Sequence, residues 1–360
     1  KELLGSPKKI LKAIKDELGE IRQKYADNRK SKIIAGGIKN INIEDTIPEE
    51  ESVLVFTAGG YIKRTDPEEY RKQRRGGIGV VDLNTKEEDF VTTLVTTSTH
   101  SDLLFFTDKG RVYQTKMYDV PEGKRATRGK SIMNFLSLTE GEKVTSIMPM
   151  PKESKQKTLS LAMVTKKGVI KKTAAEKFRE VRRSGLMAIK LAGGDELAGV
   201  FFVEKGDSVI LSTAGGQSIR FKESDAREMG RSAGGVRAMK LGKGDSIIGA
   251  AAVSGGRVAE GVSFMVISEK GFGKRTKVGE YKVQKRGGSG IKTAKVTPKT
   301  GKLIISRVIE DGDKEIVAIS KKSQVIRVDI KEIPTLGRQT QGVRIMKLRE
   351  GDGIASLICL

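Results

Sequence analysis

A phrase of eight residues recurs six times along the chain, and its spacing restricts the fold to an array of similar small units. Each copy opens with Thr or Ser, passes through small or basic residues, and closes on a β-type stretch ending in Arg, Lys or Gln. The copies are Thr57-Ala-Gly-Gly-Tyr-Ile-Lys-Arg64, Thr107-Asp-Lys-Gly-Arg-Val-Tyr-Gln114 and Thr165-Lys-Lys-Gly-Val-Ile-Lys-Lys172. They return as Thr213-Ala-Gly-Gly-Gln-Ser-Ile-Arg220, Ser268-Glu-Lys-Gly-Phe-Gly-Lys-Arg275 and Ser320-Lys-Lys-Ser-Gln-Val-Ile-Arg327. Steps of 50, 58, 48, 55 and 52 residues separate them. A period near fifty is the length of one four-stranded blade of a radial β-array.

A Gly follows each opening residue at an offset of 20 or 22: Gly77, Gly129, Gly185, Gly235, Gly288 and Gly342. Each lies in or beside a basic cluster. Around the phrases, short apolar runs such as Leu103-Leu-Phe-Phe-Thr107 and Val209-Ile-Leu-Ser-Thr213 read as buried strands bounded by turns. The Gly within the phrase supplies the positive φ that a tight hairpin turn requires. The strand after the turn alternates apolar and basic residues, which predicts one packed face and one wet, cationic face. The expected units are 50–99, 100–157, 158–205, 206–260, 261–312 and 313–360, within a β domain spanning 33–360. A lone unit cannot bury its hairpin, so the six are expected to stack around a ring or spiral.

Residues 1–32 differ. Ser6-Pro7 is a helix start. Ile10, Ile14, Leu18, Ile21 and Tyr25 then form one apolar stripe of an amphipathic helix ending near Asp27-Asn28. The segment is expected to be the tail of a preceding domain.

Lys and Arg number 68 against 45 Asp and Glu, a formal charge of +23, which points to a polyanionic partner. One cysteine, Cys359, leaves no intramolecular disulfide and suits a reducing cytoplasm. No apolar run reaches the length of a membrane span, and no secretory signal is evident.

Catalytic chemistry is hard to assemble. The single histidine, His100, and Cys359 read as packing or surface residues, and together they build no metal site. Gly123-Lys-Arg-Ala-Thr-Arg-Gly-Lys-Ser131 looks like a phosphate loop, but five residues part its glycines where that motif has four. The expectation is therefore no catalytic residue, no metal and no cofactor.

Cations remain, at equivalent places in the repeats. The end of the phrase offers Lys63 and Arg64, Lys171 and Lys172, Arg220, Lys274 and Arg275, and Arg327. Around the second landmark lie Arg71, Lys72, Arg74 and Arg75, then Arg125, Arg128 and Lys130, then Arg182 and Arg183. Arg231 and Arg237, Lys285 and Arg286, and Arg338 and Arg344 complete the set. Related by rotation, these groups would form a cationic rim for a duplex phosphate backbone. Trp is absent and aromatics are sparse, which disfavours stacking on single-stranded bases.

Gln73-Arg-Arg-Gly-Gly-Ile-Gly79 resembles the signature box of the DNA gyrase A family of type IIA topoisomerases, usually Gln-Arg-Arg-Gly-Gly-Lys-Gly. The six repeats resemble that family's C-terminal β-pinwheel over essentially the whole chain. Gln73, Arg74, Arg75, Gly76, Gly77 and Gly79 match the box, whereas Ile78 stands in place of its Lys; Gln284-Lys-Arg-Gly-Gly-Ser-Gly290 is a partial echo. The resemblance implies an all-β, six-bladed, propeller-like β-pinwheel after a short N-terminal helix. It implies a non-catalytic domain that wraps double-stranded DNA with positive handedness to enable negative supercoiling. It implies partners as well: a gyrase A N-terminal domain carrying the cleaving tyrosine, and a gyrase B subunit in an A2B2 assembly using ATP and Mg2+. The isolated domain is expected to be monomeric, and the location is the bacterial cytoplasm, at the nucleoid. The topoisomerase IV C-terminal domain, which binds DNA without a strong chiral wrap, is the nearest alternative. A WD40-type protein-binding propeller is disfavoured by the missing Trp-Asp pairs.

Overall fold

A computed structural model describes residues 5–27, 43–67, 89–124, 127–151, 158–255, 261–310, 312–322 and 324–359. Residues 1–47 and 48–360 form two separate compact units. In the first, a helix runs Pro7–Tyr25 with Ser6 as its extended N-cap and Pro at its start. None of its residues is buried, and Leu11, Ile14, Leu18, Ile21 and Tyr25 are exposed.

The second unit is built of six sheets, one per repeat. In each, the phrase is a hairpin turn, as between Glu51–Thr57 and Tyr61–Thr65 or between Ser208–Thr213 and Gln217–Lys222. A third strand of the same repeat, such as Val91–Ser98 or Ile247–Val253, pairs antiparallel with the hairpin's first strand. The fourth strand comes from the next repeat. Lys130–Ser131 pairs with Tyr61 and Ile62, Leu186–Met187 with Arg111 and Val112, and Val236–Arg237 with Val169 and Ile170. Ile291–Lys292 and Val343–Arg344 do the same for the fourth and fifth sheets. The sixth sheet has three strands among the described residues.

The third strands line the centre. Each touches the next around the array, and Ile354–Cys359 of the sixth repeat touches Val91–Ser98 of the first. Between neighbouring sheets lies an apolar layer, six in all, the last joining Ile319 and Ile358 to Val53 and Val55. The ring is closed. This sandwiching explains the unbroken apolar runs. Leu103 and Phe105 face the first sheet while Leu104 and Phe106 face the third, so the strand is buried on both sides.

The opening Thr or Ser of the phrase has a fixed task. Its hydroxyl accepts the N–H four residues on in all six repeats, at 3.0–3.4 Å. A carboxylate near the end of the repeat completes the turn. Asp89, Glu142 and Asp352 accept from the hydroxyls of Thr57, Thr107 and Ser320, at 2.6–2.8 Å. Asp195 and Asp245 accept turn N–H groups of Lys167 and Gly215. In the fifth repeat Thr300 stands there instead, its carbonyl accepting the N–H of Lys270.

The Gly landmark starts the exchanged strand. Gly129, Gly185, Gly235 and Gly342 have positive φ and directly precede it. In the fifth repeat that residue is Gly290, not the expected Gly288, because only Gly290 adjoins strand Ile291–Lys292 at positive φ. Gly290 lies 22 residues after Ser268, so the alternation of 20 and 22 does not hold. A Cβ on Gly235 would sit 2.6 Å from the carbonyl oxygen of Ile170, at a φ of +87°. Gly235→Ala is therefore expected to cost more than the ~1–2 kcal/mol of a left-handed L-residue. Gly193→Ala, with nothing within 4 Å, should be nearly neutral. Urea unfolding of the two variants compares them directly.

Candidate nucleic-acid interface

Because the exchanged strand ends five of the sheets opposite the central strand, it forms their outer edge among the described residues. Lys130, Arg182, Arg183, Arg237, Lys285 and Arg344 lie on these strands or their approaching loops, and all are exposed. These six are among the cations expected on the rim. The residues Arg71, Lys72, Gln73, Arg74, Arg75, Gly76, Gly77, Gly79 and Arg125 lie outside the described residues.

Four cations expected on the rim are inside the protein. Lys63, Lys171, Lys274 and Arg220 are exposed by 1, 0, 0 and 5%. The alternation argument fails there because both faces of the hairpin are covered by neighbouring sheets. Each of these groups reaches main chain of the following repeat. The Lys63 ammonium donates to the carbonyls of Lys124 and Thr127 at 3.0 and 2.9 Å. Lys171 donates to Arg231 and also to Ala188 of its own repeat, both at 2.5 Å. Lys274 donates to Gly337 and Arg338 at 2.5 and 2.7 Å.

The cation closing the phrase is a clamp between sheets. Arg64 Nε donates to Val120 O at 3.0 Å, Arg275 Nε to Ile333 O at 2.9 Å, and Arg220 Nη1 to Val278 and Tyr281 carbonyls. Lys172 pairs with Glu223. Gln114 makes the clamp without charge, exchanging hydrogen bonds with Arg179 O and the Val181 N–H. Arg327 is exposed and pairs with Glu315 of its own hairpin. Arg64, Lys172, Arg220 and Arg275 therefore belong to the joints between sheets rather than to a free rim.

A further register runs through the basic clusters: 18 residues after every opening Thr or Ser stands an arginine. These are Arg75, Arg125, Arg183, Arg231, Arg286 and Arg338. Arg231 donates to Lys177 O at 3.1 Å, Arg286 to Asp225 O at 2.8 Å, and Arg338 to Lys292 O at 3.3 Å. Arg183 stays exposed. Arg128 stacks on Tyr61, its guanidinium 3.6 Å from the ring centre. The acid that holds the turn has a sequence signal of its own in four repeats, a preceding Gly: Gly141-Glu142, Gly194-Asp195, Gly244-Asp245 and Gly351-Asp352.

His100 meets Tyr118 edge-on, and Cys359 is half-buried, its thiol pushed up by burial. No cluster of three metal-ligating side chains occurs among the described residues, and none of their helices is long and apolar enough to cross a membrane.

The family described as DNA gyrase C-terminal domain, beta-propeller, matches residues 51–98, 101–149, 160–204, 207–254, 263–309 and 314–360. This chain belongs to that family. The DNA gyrase A subunit of Staphylococcus aureus (strain COL) is 38% identical over 355 residues, covering 99% of this chain and 40% of the relative. That of Staphylococcus epidermidis (strain ATCC 12228 / FDA PCI 1200) is 36% identical over 356 residues, covering 99% and 39%. The chain thus spans about two-fifths of the length of these curated relatives. A solved DNA gyrase A C-terminal domain superposes with a TM-score of 0.71 at 25% identity, covering 86% of this chain and all of that one. The C-terminal domain of a DNA topoisomerase IV shares the fold, with a TM-score of 0.70 at 23% identity over 87% and 94%. The expected six-bladed, propeller-like all-β fold is what the chain adopts.

Burial lowers the Lys171 and Lys274 ammonium groups to about 8, below the usual 10.5. The charges of Lys177 and Arg231 push Lys171 the same way; at Lys274, Glu280 opposes and Arg338 adds to the fall. Between about 8 and 10.5 the unfolded chain holds protons that the folded one has released. Stability therefore rises with pH across that window. The urea midpoint of the native protein should gain on that of Lys171→Met/Lys274→Met as pH climbs through it. A difference flat in pH would contradict the lowered values.

Proposed function

We propose that this chain binds duplex DNA along the outer edge of its ring and wraps it with positive handedness, as the C-terminal part of a gyrase A protein. The observation that carries this reading is the placement of Lys130, Arg182, Arg183, Arg237, Lys285 and Arg344, all exposed and all on or beside the exchanged strands. A net charge of +23 agrees with it. Bending DNA by 40–90° over 20–30 bp costs on the order of 1–6 kcal/mol, so a long wrap needs phosphate contacts from several repeats. A ring that repeats the same basic edge supplies them.

In this reading the domain holds no cofactor and catalyses nothing. Strand cleavage belongs to a gyrase A N-terminal domain, and ATP with Mg2+ to gyrase B, in an A2B2 enzyme of the bacterial cytoplasm. Alone, the domain is a monomer. The box at Gln73, Arg74, Arg75, Gly76, Gly77 and Gly79 steers the wrap.

Relaxed closed-circular DNA incubated with the protein, then treated with a nicking-closing topoisomerase, reports the handedness. A positive linking change is expected. Binding without a change would favour a topoisomerase IV-like domain, and no binding would return the ring to a protein-interaction role. Affinity should fall steeply with salt, by about 0.9 log units per neutralised phosphate for each log unit of salt. It should vary little with sequence, since no recognition helix is present among the described residues. Arg74→Ala with Arg75→Ala should reduce bending, read by energy transfer across a labelled duplex, more than it reduces affinity. A proportional loss of both would count against the box as a steering element.

A further inference from the structure

Lys171 and Lys274 are fully buried, and among the described residues neither makes an ion pair. Their ammonium groups are satisfied by oxygens alone: Ala188 and Arg231 carbonyls for Lys171, and Gly337 and Arg338 carbonyls with Thr340 Oγ1 for Lys274. A buried charge without a contacting counter-charge is costly, and Glu280 acts on Lys274 only from beyond ion-pair distance; such groups recur where a ligand supplies the opposite charge.

The acceptors give the direction from which that ligand comes. In a trans peptide the N–H points away from the carbonyl that precedes it. With the Arg231 and Arg338 carbonyls drawn inward onto ammonium groups, the N–H groups of Ser232 and Gln339 point outward. Both residues are exposed, and neither N–H donates a hydrogen bond among the described residues. The adjoining peptide shows what suits this face: the Arg338 N–H, behind the Gly337 carbonyl, meets the carboxylate of Glu280 at 3.4 Å. The fifth repeat is the internal contrast. Its loop lies over Ile219 rather than a lysine, and Gly287 turns its N–H inward to Ala238 O at 2.6 Å.

Resting on the DNA-binding reading above, we propose that Lys171 and Lys274 are positioning residues that turn these loop peptides over. The N–H groups of Ser232 and Gln339 then bind backbone phosphates of DNA, and each phosphate is the counter-charge to the ammonium beneath. Phosphate oxygens accept from main-chain N–H groups without reading sequence, which fits a wrapped rather than a specific site. Position seven of the phrase carries Lys63, Lys171 and Lys274 in the odd repeats and Tyr113, Ile219 and Ile326 in the even ones. The grip of this kind falls on the loops of the fourth and sixth repeats, over the lysines of the third and fifth.

Titration of duplex DNA into isotope-labelled native protein, followed by amide NMR, tests this. The Ser232 and Gln339 amide protons should move downfield and gain exchange protection, while Gly287 stays fixed. In Lys171→Met/Lys274→Met the salt slope of DNA affinity should fall by about 2, near 0.9 for each lost phosphate. DNA binding with the Ser232 and Gln339 amides unmoved would overturn the proposal, as would an unchanged slope in a folded variant. If the variant does not fold, the amide shifts of the native protein decide alone. If the native protein binds no DNA, the functional reading fails instead. Inorganic phosphate then probes the same amides: a selective shift supports an anion site there, and its absence overturns it.

Discussion

Much in this ring depends on one exchange: among the described residues, five of the six sheets are completed by a strand that belongs to the next repeat. A three-stranded sheet would end in an open edge of unpaired N–H and C=O groups, a liability for any β protein. Lending two residues back to the preceding sheet closes that edge and crosses five joints with main-chain hydrogen bonds. The exchange also dictates the local chemistry. The incoming segment must pass so close to the hairpin that Gly129, Gly185, Gly235, Gly290 and Gly342 have positive φ and no room for a side chain. Its carbonyls must find donors in the preceding sheet, which is why lysines and arginines of the phrase turn inward.

The joint has three layers of attachment, and they differ in physical kind. Apolar packing between sheets supplies most of the cohesion and is nondirectional. The clamp at the end of the phrase is directional: Arg64, Arg220 and Arg275 fix the angle at which the next repeat arrives. The position before it is chosen repeat by repeat. Tyr113 fills the space with a ring, its hydroxyl donating to Glu142 at 3.0 Å, whereas Lys171 fills it with a charge. One backbone plan thus carries two kinds of joint in alternation.

Much of this was legible beforehand because it is local. The period, the hairpin turn at Gly60 or Gly168 and the unbroken apolar run of Phe264–Ile267 all follow from neighbours in sequence. What was not legible is what comes from another repeat. Lys63, Lys171, Lys274 and Arg220 read as solvent-facing because alternation assumes one covered face, and a sheet sandwiched in a ring has two. Gly288 and Gly290 are indistinguishable by offset, and only the pairing partner Ser218 separates them. The carboxylates of Asp195, Asp245 and Asp352 stand some thirty residues from the turns they hold, and only the Gly before each marks them in the sequence. The cations proposed for the rim divide for the same reason: those on the exchanged strands are exposed, whereas Lys63, Lys171, Arg220 and Lys274 of the hairpins are buried.

The direction of strand exchange also decides how the ring carries load. A bent duplex pulls back on whatever holds it, and here it would pull on loops that lead into exchanged strands. Because those strands lie antiparallel along the preceding hairpin, such a pull is met by several hydrogen bonds acting together in shear, not by one yielding after another. Repeats two to six each hand their strain to the sheet before them. The wheel behaves less like six beads on a string than like a hoop whose staves overlap.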